Sequence, residues 1–157
     1  MRTDNRNVKN VVISIYFLLI VFAILLATVF RFLEVFSGAN FYVFIGLFVI
    51  LAIFHSVAGY FEYDSDGSHI IVINRGLLLT AYINYRETKL EFPRHKLVGY
   101  KIKNYFIYRS LVLVIEDKGG KFKKERFNIT LLNRRKTKYV RQSLRKTLKE
   151  NQKLKEA

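Results

Sequence analysis

Two patterns of apolar positions divide the chain. Val11 to Phe30 is an uncharged run of 20 residues, and Phe41 to Tyr60 is a second of the same length. At 1.5 Å of rise per helical residue, each spans roughly 30 Å, the thickness of a hydrocarbon core. Fifteen residues of the first run are Val, Ile, Leu or Phe, contributing about −5 to −9 kcal/mol to insertion. The second has twelve such residues and one histidine. Neither run carries the polar stripe of a soluble helix packed on a core. Both predict transmembrane helices, over 11–30 and 41–60, joined by a short loop at 31–40. A secretory signal reading of the first run fits less well, because its apolar stretch is too long and a second span follows at once.

From Phe61 the period changes to short apolar runs separated by turn residues. Phe61–Tyr63 and His69–Asn74 flank the turn Asp64-Ser65-Asp66-Gly67 and predict a hairpin. Leu77–Tyr85 reads as a further strand, and Lys89–Phe92 as a short one ending at Pro93. In Leu97–Lys103 the alternation places Val98, Tyr100 and Ile102 on one face and Lys101 and Lys103 on the other. Leu111–Ile115 and Phe122–Ile129 form a second hairpin across Gly119-Gly120. After Leu132 the period becomes helical: Val140, Leu144 and Leu148 stand four apart, and Asn133 is placed to cap the helix. The expected organisation is an N-terminal flank at 1–10, the membrane segment, a mainly β domain of six or seven strands with a C-terminal helix over 61–150, and a frayed tail at 151–157.

Charge sharpens that division. The formal net charge is +15 over 157 residues. Residues 1–60 contribute four Lys/Arg and two Asp/Glu, so nearly all the excess lies in the β domain. Arg2, Arg6 and Lys9 precede the first span, a dense basic region follows the second, and the loop has Arg31 balanced by Glu34. The positive-inside rule then puts both termini in the cytoplasm and the short loop outside, giving a multi-pass membrane protein. With no cysteine in the chain, thiolate catalysis and zinc-thiolate sites are excluded.

Six or seven strands closed by one helix, after a membrane hairpin, resemble the bacterial membrane-anchored pleckstrin-homology-like (PH-like) proteins, which implies a place in a bacterial inner membrane. The resemblance is carried by Tyr63–Gly76 (YDSDGSHIIVINRG), Phe92–Ile102 (FPRHKLVGYKI), Leu111–Ile115 and the helix from Asn133. It implies a scaffold or binding role, with no enzyme activity and no cofactor. The Arg75-Gly76 turn carries one basic residue where phosphoinositide-binding PH domains use several.

Three groups of residues carry candidate chemistry. Arg86, Lys89, Arg94, Lys96, Lys101 and Lys103 follow the second span and are expected near anionic headgroups, where each basic residue contributes about 1 kcal/mol. Lys118, Lys121, Lys123 and Lys124 surround Gly119-Gly120, whose amides would make an anion loop if left exposed. Ser14 and His55 fall at one depth of the membrane and form a polar pair; His55 in a transport pathway defines the alternative reading, a channel or transporter accessory. A protein partner suits the same basic surface. Arg134, Arg135 and Lys136 open the C-terminal helix, where acids are preferred, which hints at an acidic partner. Nucleic acid is disfavoured, since Tyr100, Tyr105, Phe106 and Tyr108 have strand spacing and the domain is tethered. No HExxH, P-loop or nucleophile elbow occurs. Asp64–Gly67 begins like a calcium loop, but Arg75 stands where the distal glutamate would.

Overall fold

The structure is a computed structural model, and it describes residues 2–32, 42, 45–49, 59–76, 88–106, 108–117 and 119–156. Among the described residues seven strands form two antiparallel sheets. The first holds β1 (Arg2–Asp4), β2 (Gly59–Asp64), β3 (His69–Gly76) and β4 (Thr88–Pro93), in that spatial order. A 3₁₀ turn at Arg94–Lys96 leads to the second sheet, β5 (Leu97–Asn104), β6 (Arg109–Glu116) and β7 (Phe122–Asn128). Among the described residues two helices have both ends defined: α1 (Arg6–Phe32), between β1 and β2, and α2 (Arg134–Glu156), after β7.

The core forms because each strand sends alternate side chains inward. Phe61 and Tyr63 of β2, Ile70 and Val72 of β3, Leu111 and Leu113 of β6, and Phe127 of β7 are all fully buried. Val140 and Leu144 of α2 close the same cluster, with Leu148 partly buried, so the four-residue spacing lies against the sheets as the helical period requires. Asn133 caps α2: its Oδ1 accepts from the Arg135 amide at 3.2 Å.

The hairpin Phe61–Tyr63/His69–Asn74 forms, extended to Gly59–Asp64 and His69–Gly76. Its turn is an Asx turn, with the Asp66 amide donating to Asp64 Oδ1 at 2.8 Å and Gly67 at φ 84°, a conformation glycine adopts without strain. In β5 a bulge falls between Leu97 and Gly99. The extra residue reverses the alternation there. Leu97 turns into the core while Val98 stays 38% exposed, so Val98 does not share a face with Tyr100 and Ile102, which do pack on the core.

Three boundaries differ from expectation. Residues 1–10 are not a separate flank: Arg2–Asp4 is a strand of the first sheet, and α1 begins at Arg6. Gly59 and Tyr60 belong to β2 and not to a membrane helix; a Cβ on Gly59 would sit 3.2 Å from Asn128 Nδ2, so its bareness lets β2 start against the end of β7. At the other end α2 continues through Glu156, and Asn151, placed in a frayed tail by the sequence, is buried. Its Nδ2 donates toward the carbonyls of Arg94, Leu97 and His95 at 2.8, 3.0 and 3.3 Å, adding to the Leu97 amide, which already donates to the Arg94 carbonyl.

Among the described residues one helix segment, Arg6–Leu25, is long and apolar enough to cross a membrane. Only 12% of that apolar window is buried within the chain. Val11, Phe17, Leu18, Ile24 and Leu25 are each more than half exposed. Most of the second predicted span lies outside the described residues, of which Tyr42 and residues 45–49 are helical. The predicted strand Leu77–Tyr85 lies outside them too.

Candidate functional site

Strand register sorts the basic residues into two ends of the domain. β2 leaves α1 and runs outward, β3 returns, β4 runs outward, β5 returns, β6 runs outward and β7 returns. The end near α1 therefore holds Gly59–Tyr60, Arg75–Gly76, Thr88–Lys89, the β5–β6 hairpin tip, Asn128–Leu132 and the first turn of α2. Contacts confirm the assembly: Asn74 Nδ2 donates to the Asn128 carbonyl at 2.8 Å, and Leu131 packs on the buried cluster of Val12, Tyr16 and Tyr60. The opposite end holds Asp64–Ser68, Pro93–Lys96, Asp117–Lys121 and the last turns of α2, where the Arg94 amide donates to the Ser68 carbonyl at 3.0 Å. At about 3.4 Å per residue, the eight residues of β6 separate these ends by roughly 25 Å.

The α1 end is locked to the residues that precede the helix. Asn5, 1% exposed, acts as an extra rung of the sheet. Its Oδ1 accepts from the Phe61 amide at 2.9 Å, its Nδ2 donates to the Gly59 carbonyl at 2.8 Å, and its own amide donates to the Phe61 carbonyl. Glu62, buried beside it, receives Arg2 Nε at 2.8 Å on one oxygen and the Tyr60 hydroxyl at 2.8 Å on the other. Arg75 stacks over the Tyr60 ring at 5.8 Å. Lys136 of α2 donates to the Asp4 carbonyl, which gives one of the three cations opening that helix a structural task.

The candidate lipid-facing residues divide between the two ends. Lys89 is exposed at the start of β4, and Lys103 lies near the end of β5, both toward α1. Lys101 is exposed further along β5. Arg94 and Lys96 stand at the far end, about 20–25 Å away by strand length and beyond a Debye length of about 8 Å. Arg94 has a structural use there, donating to Thr147 and Glu150 at 3.2 Å each. Arg86 lies outside the described residues.

The lysine hairpin is also at the far end. The Gly120 amide donates to the Asp117 carbonyl at 3.1 Å and the Asp117 amide to the Lys121 carbonyl at 2.8 Å, so the Gly120 N–H expected to serve an anion is consumed by the turn itself. Lys123 pairs with Glu125 at 2.8 Å, and that hydrogen bond raises its pKa. Lys121 and Lys124 are exposed, and Lys118 lies outside the described residues. In α1, Ser14 donates to the Asn10 carbonyl at 3.1 Å within its own helix; His55 lies outside the described residues. Among the described residues no group of three metal-ligating side chains converges.

Sequence reasoning passed over a groove of about 640 Å³ between the ends of β5 and β6 and the first two turns of α2. Arg109, Arg134, Lys138 and Arg141 line it, with Asn104 and Thr137 and without any acidic side chain. Arg109 is held by its Nη2, which donates to the Thr130 and Leu132 carbonyls at 2.8 and 3.0 Å. Beside the groove the hairpin tip carries Tyr105, half exposed, and Phe106, fully exposed. The alternation of strand directions was the signal for this surface, because it returns every second loop to the side from which β2 departs.

No family model, curated protein or solved structure matches the chain.

Proposed function

We propose that this protein is a membrane-anchored binding module: a PH-like β domain held at the inner face of the membrane by α1 and a returning second span. The bound species is anionic lipid, a protein partner, or both. The observation that carries the reading is the pairing of β1 with β2. A strand that precedes α1 hydrogen-bonds in register with a strand that follows the whole apolar region, Arg2 opposite Asp64 and Asp4 opposite Glu62. Strand pairing requires backbones about 5 Å apart, so both lie on one side of any bilayer. If α1 crosses, the chain must cross back before Gly59. The exposed apolar surface of α1 supports crossing, since a soluble core helix buries that surface and this one does not. The same pairing weighs against cleavage after α1, which would remove an edge strand and the buried Asn5.

Held this way, the domain samples a thin layer beside the membrane, which raises its effective concentration for any ligand there. The two-sheet sandwich with a C-terminal helix, in the strand order seen, supports the PH-like assignment. The accessory-transport reading gains nothing from Ser14, whose hydroxyl is engaged within α1.

The absence of cysteine makes the test clean. Cysteines placed by R2C and D64C are directly opposed across β1 and β2, within disulfide reach. They are expected to crosslink in native membranes on mild oxidation. In separate single-cysteine variants, S37C should react with an impermeant maleimide from outside and K153C only after permeabilisation. Labelling of K153C from outside, or absence of the R2C–D64C crosslink in folded protein, would sink the proposal.

A further inference from the structure

We infer that the α1 end of the domain docks on the anionic headgroups of the same membrane, with Phe106 and Tyr105 entering the interface and the Arg109–Arg134–Lys138–Arg141 groove receiving lipid phosphate. This rests on the anchoring proposed above and names the surface and ligand that it presents.

Three independent features converge at that end. The first is the hairpin tip. Phe106 is fully exposed, and the flanking residues are paired across the tip: the Tyr105 amide donates to the Tyr108 carbonyl at 2.8 Å, and the two tyrosine rings stand 6.2 Å apart. An apolar ring projected into water does nothing for the core. Aromatic side chains at the level of headgroups are stable because one part meets hydrocarbon and the other stays wet.

The second is charge. Arg75, Lys103, Arg109, Arg134, Arg135 and Lys138 belong to this end. Its described acids, Asp4 and Glu62, are already paired with Lys136 and Arg2. The far end mixes signs, with Asp64, Asp66, Glu116, Asp117 and Glu150 among its lysines. Cations stand at both ends; it is the acids that gather at the far end, which leaves the α1 end the more uniformly positive.

The third is the groove. About 640 Å³ bordered by four cations suits a phosphodiester headgroup in size and sign. Arg109, fixed by two carbonyls, presents its guanidinium without the entropy loss of a free side chain.

The experiment uses the full chain in lipid nanodiscs. The variant F106C, labelled with a polarity-sensitive dye, reports the tip; Phe106 touches no core residue, so folding is retained. In discs of phosphatidylcholine doped with phosphatidylglycerol the dye should emit further to the blue and be quenched by spin-labelled lipid, and in phosphatidylcholine alone it should do so much less. Neutralising the groove with R134Q and K138Q should lower the docked-to-undocked ratio about thirtyfold, since each cation near an anionic surface contributes about fivefold. Neutralising the far end with K121Q and K124Q should leave the ratio within about twofold, that end lying beyond the screening length. A tip that stays in water in anionic discs, or equal losses from the two pairs of substitutions, overturns docking. The K153C labelling pattern, measured on the same discs, reports anchoring separately, so the two readings fail by different signals.

Discussion

Asn5 offers the sharpest test of how the N-terminus is built into the domain. In Asn5→Ala two buried backbone groups lose their partner at once, the Phe61 N–H and the Gly59 carbonyl. Each unsatisfied buried group costs about 1–3 kcal/mol, so the variant should lose about 2–6 kcal/mol. That is a large share of a stability of about 5–15 kcal/mol. Part of the loss is expected as local release of β1, because Arg2–Asp4 supplies only a short edge to the sheet. Hydrogen exchange on the full chain in detergent reads this directly. The Phe61 amide should exchange at least thirtyfold faster in the variant, the factor that corresponds to about 2 kcal/mol, while amides of β6 change less. Asn5→Asp separates the two bonds: it keeps the acceptor for Phe61 and loses the donor to Gly59. Its deficit should grow as pH rises above about 4, since burial opposes the charged carboxylate. An Asn5→Ala protein that unfolds within about 0.5 kcal/mol of the parent, with Phe61 still protected, would refute the reasoning.

Two further outcomes follow from the far end and the core. Asn151→Ala, or truncation after Glu150, should lower stability by about 1–3 kcal/mol in urea titrations, because the carbonyls of the 94–97 turn lose their side-chain donor and the Arg94 carbonyl keeps only the Leu97 amide; a neutral truncation would mean the last turns are dispensable. Tyr63 has its pKa raised, chiefly by burial and against the hydrogen bonds from Ser143 and Ser65. The folded state thus holds that proton more tightly than the unfolded chain. This contribution is fully present below the unfolded pKa of about 10 and is lost as pH climbs through the higher folded value. Tyr63→Phe should cost about 1 kcal/mol at neutral pH, through the bond to Ser143 Oγ at 3.1 Å, and should flatten the alkaline limb of the stability profile; an unchanged limb contradicts it.

Much of this molecule was legible in its residue order. The 11–30 run announced a helix by its unbroken apolar length, and α1 spans it with most of that apolar window left unburied. The β hairpins were readable from alternation and turn residues. The helix with Val140, Leu144 and Leu148 was readable from its period and its Asn133 cap. Those signals are local: they depend on side chains a few positions apart. What the tertiary structure decided was long-range. Nothing in Arg2-Thr3-Asp4-Asn5 announces a strand whose partner lies some 60 positions on, because a three-residue edge strand has too little alternation to be read alone. The bulge that turns Val98 outward depends on pairing with Ile115 and Val114. The basic residues from Arg86 to Lys103 looked like one surface, since proximity to the second apolar run in sequence stood in for proximity in space. Strand reversal broke that equivalence, taking Arg94 and Lys96 roughly 20–25 Å away and bringing Arg109, Arg134 and Lys138 to the α1 end. Local periodicity specifies which elements form; which of their charges meet is set by strand direction and register, and these exist only once the sheets have assembled.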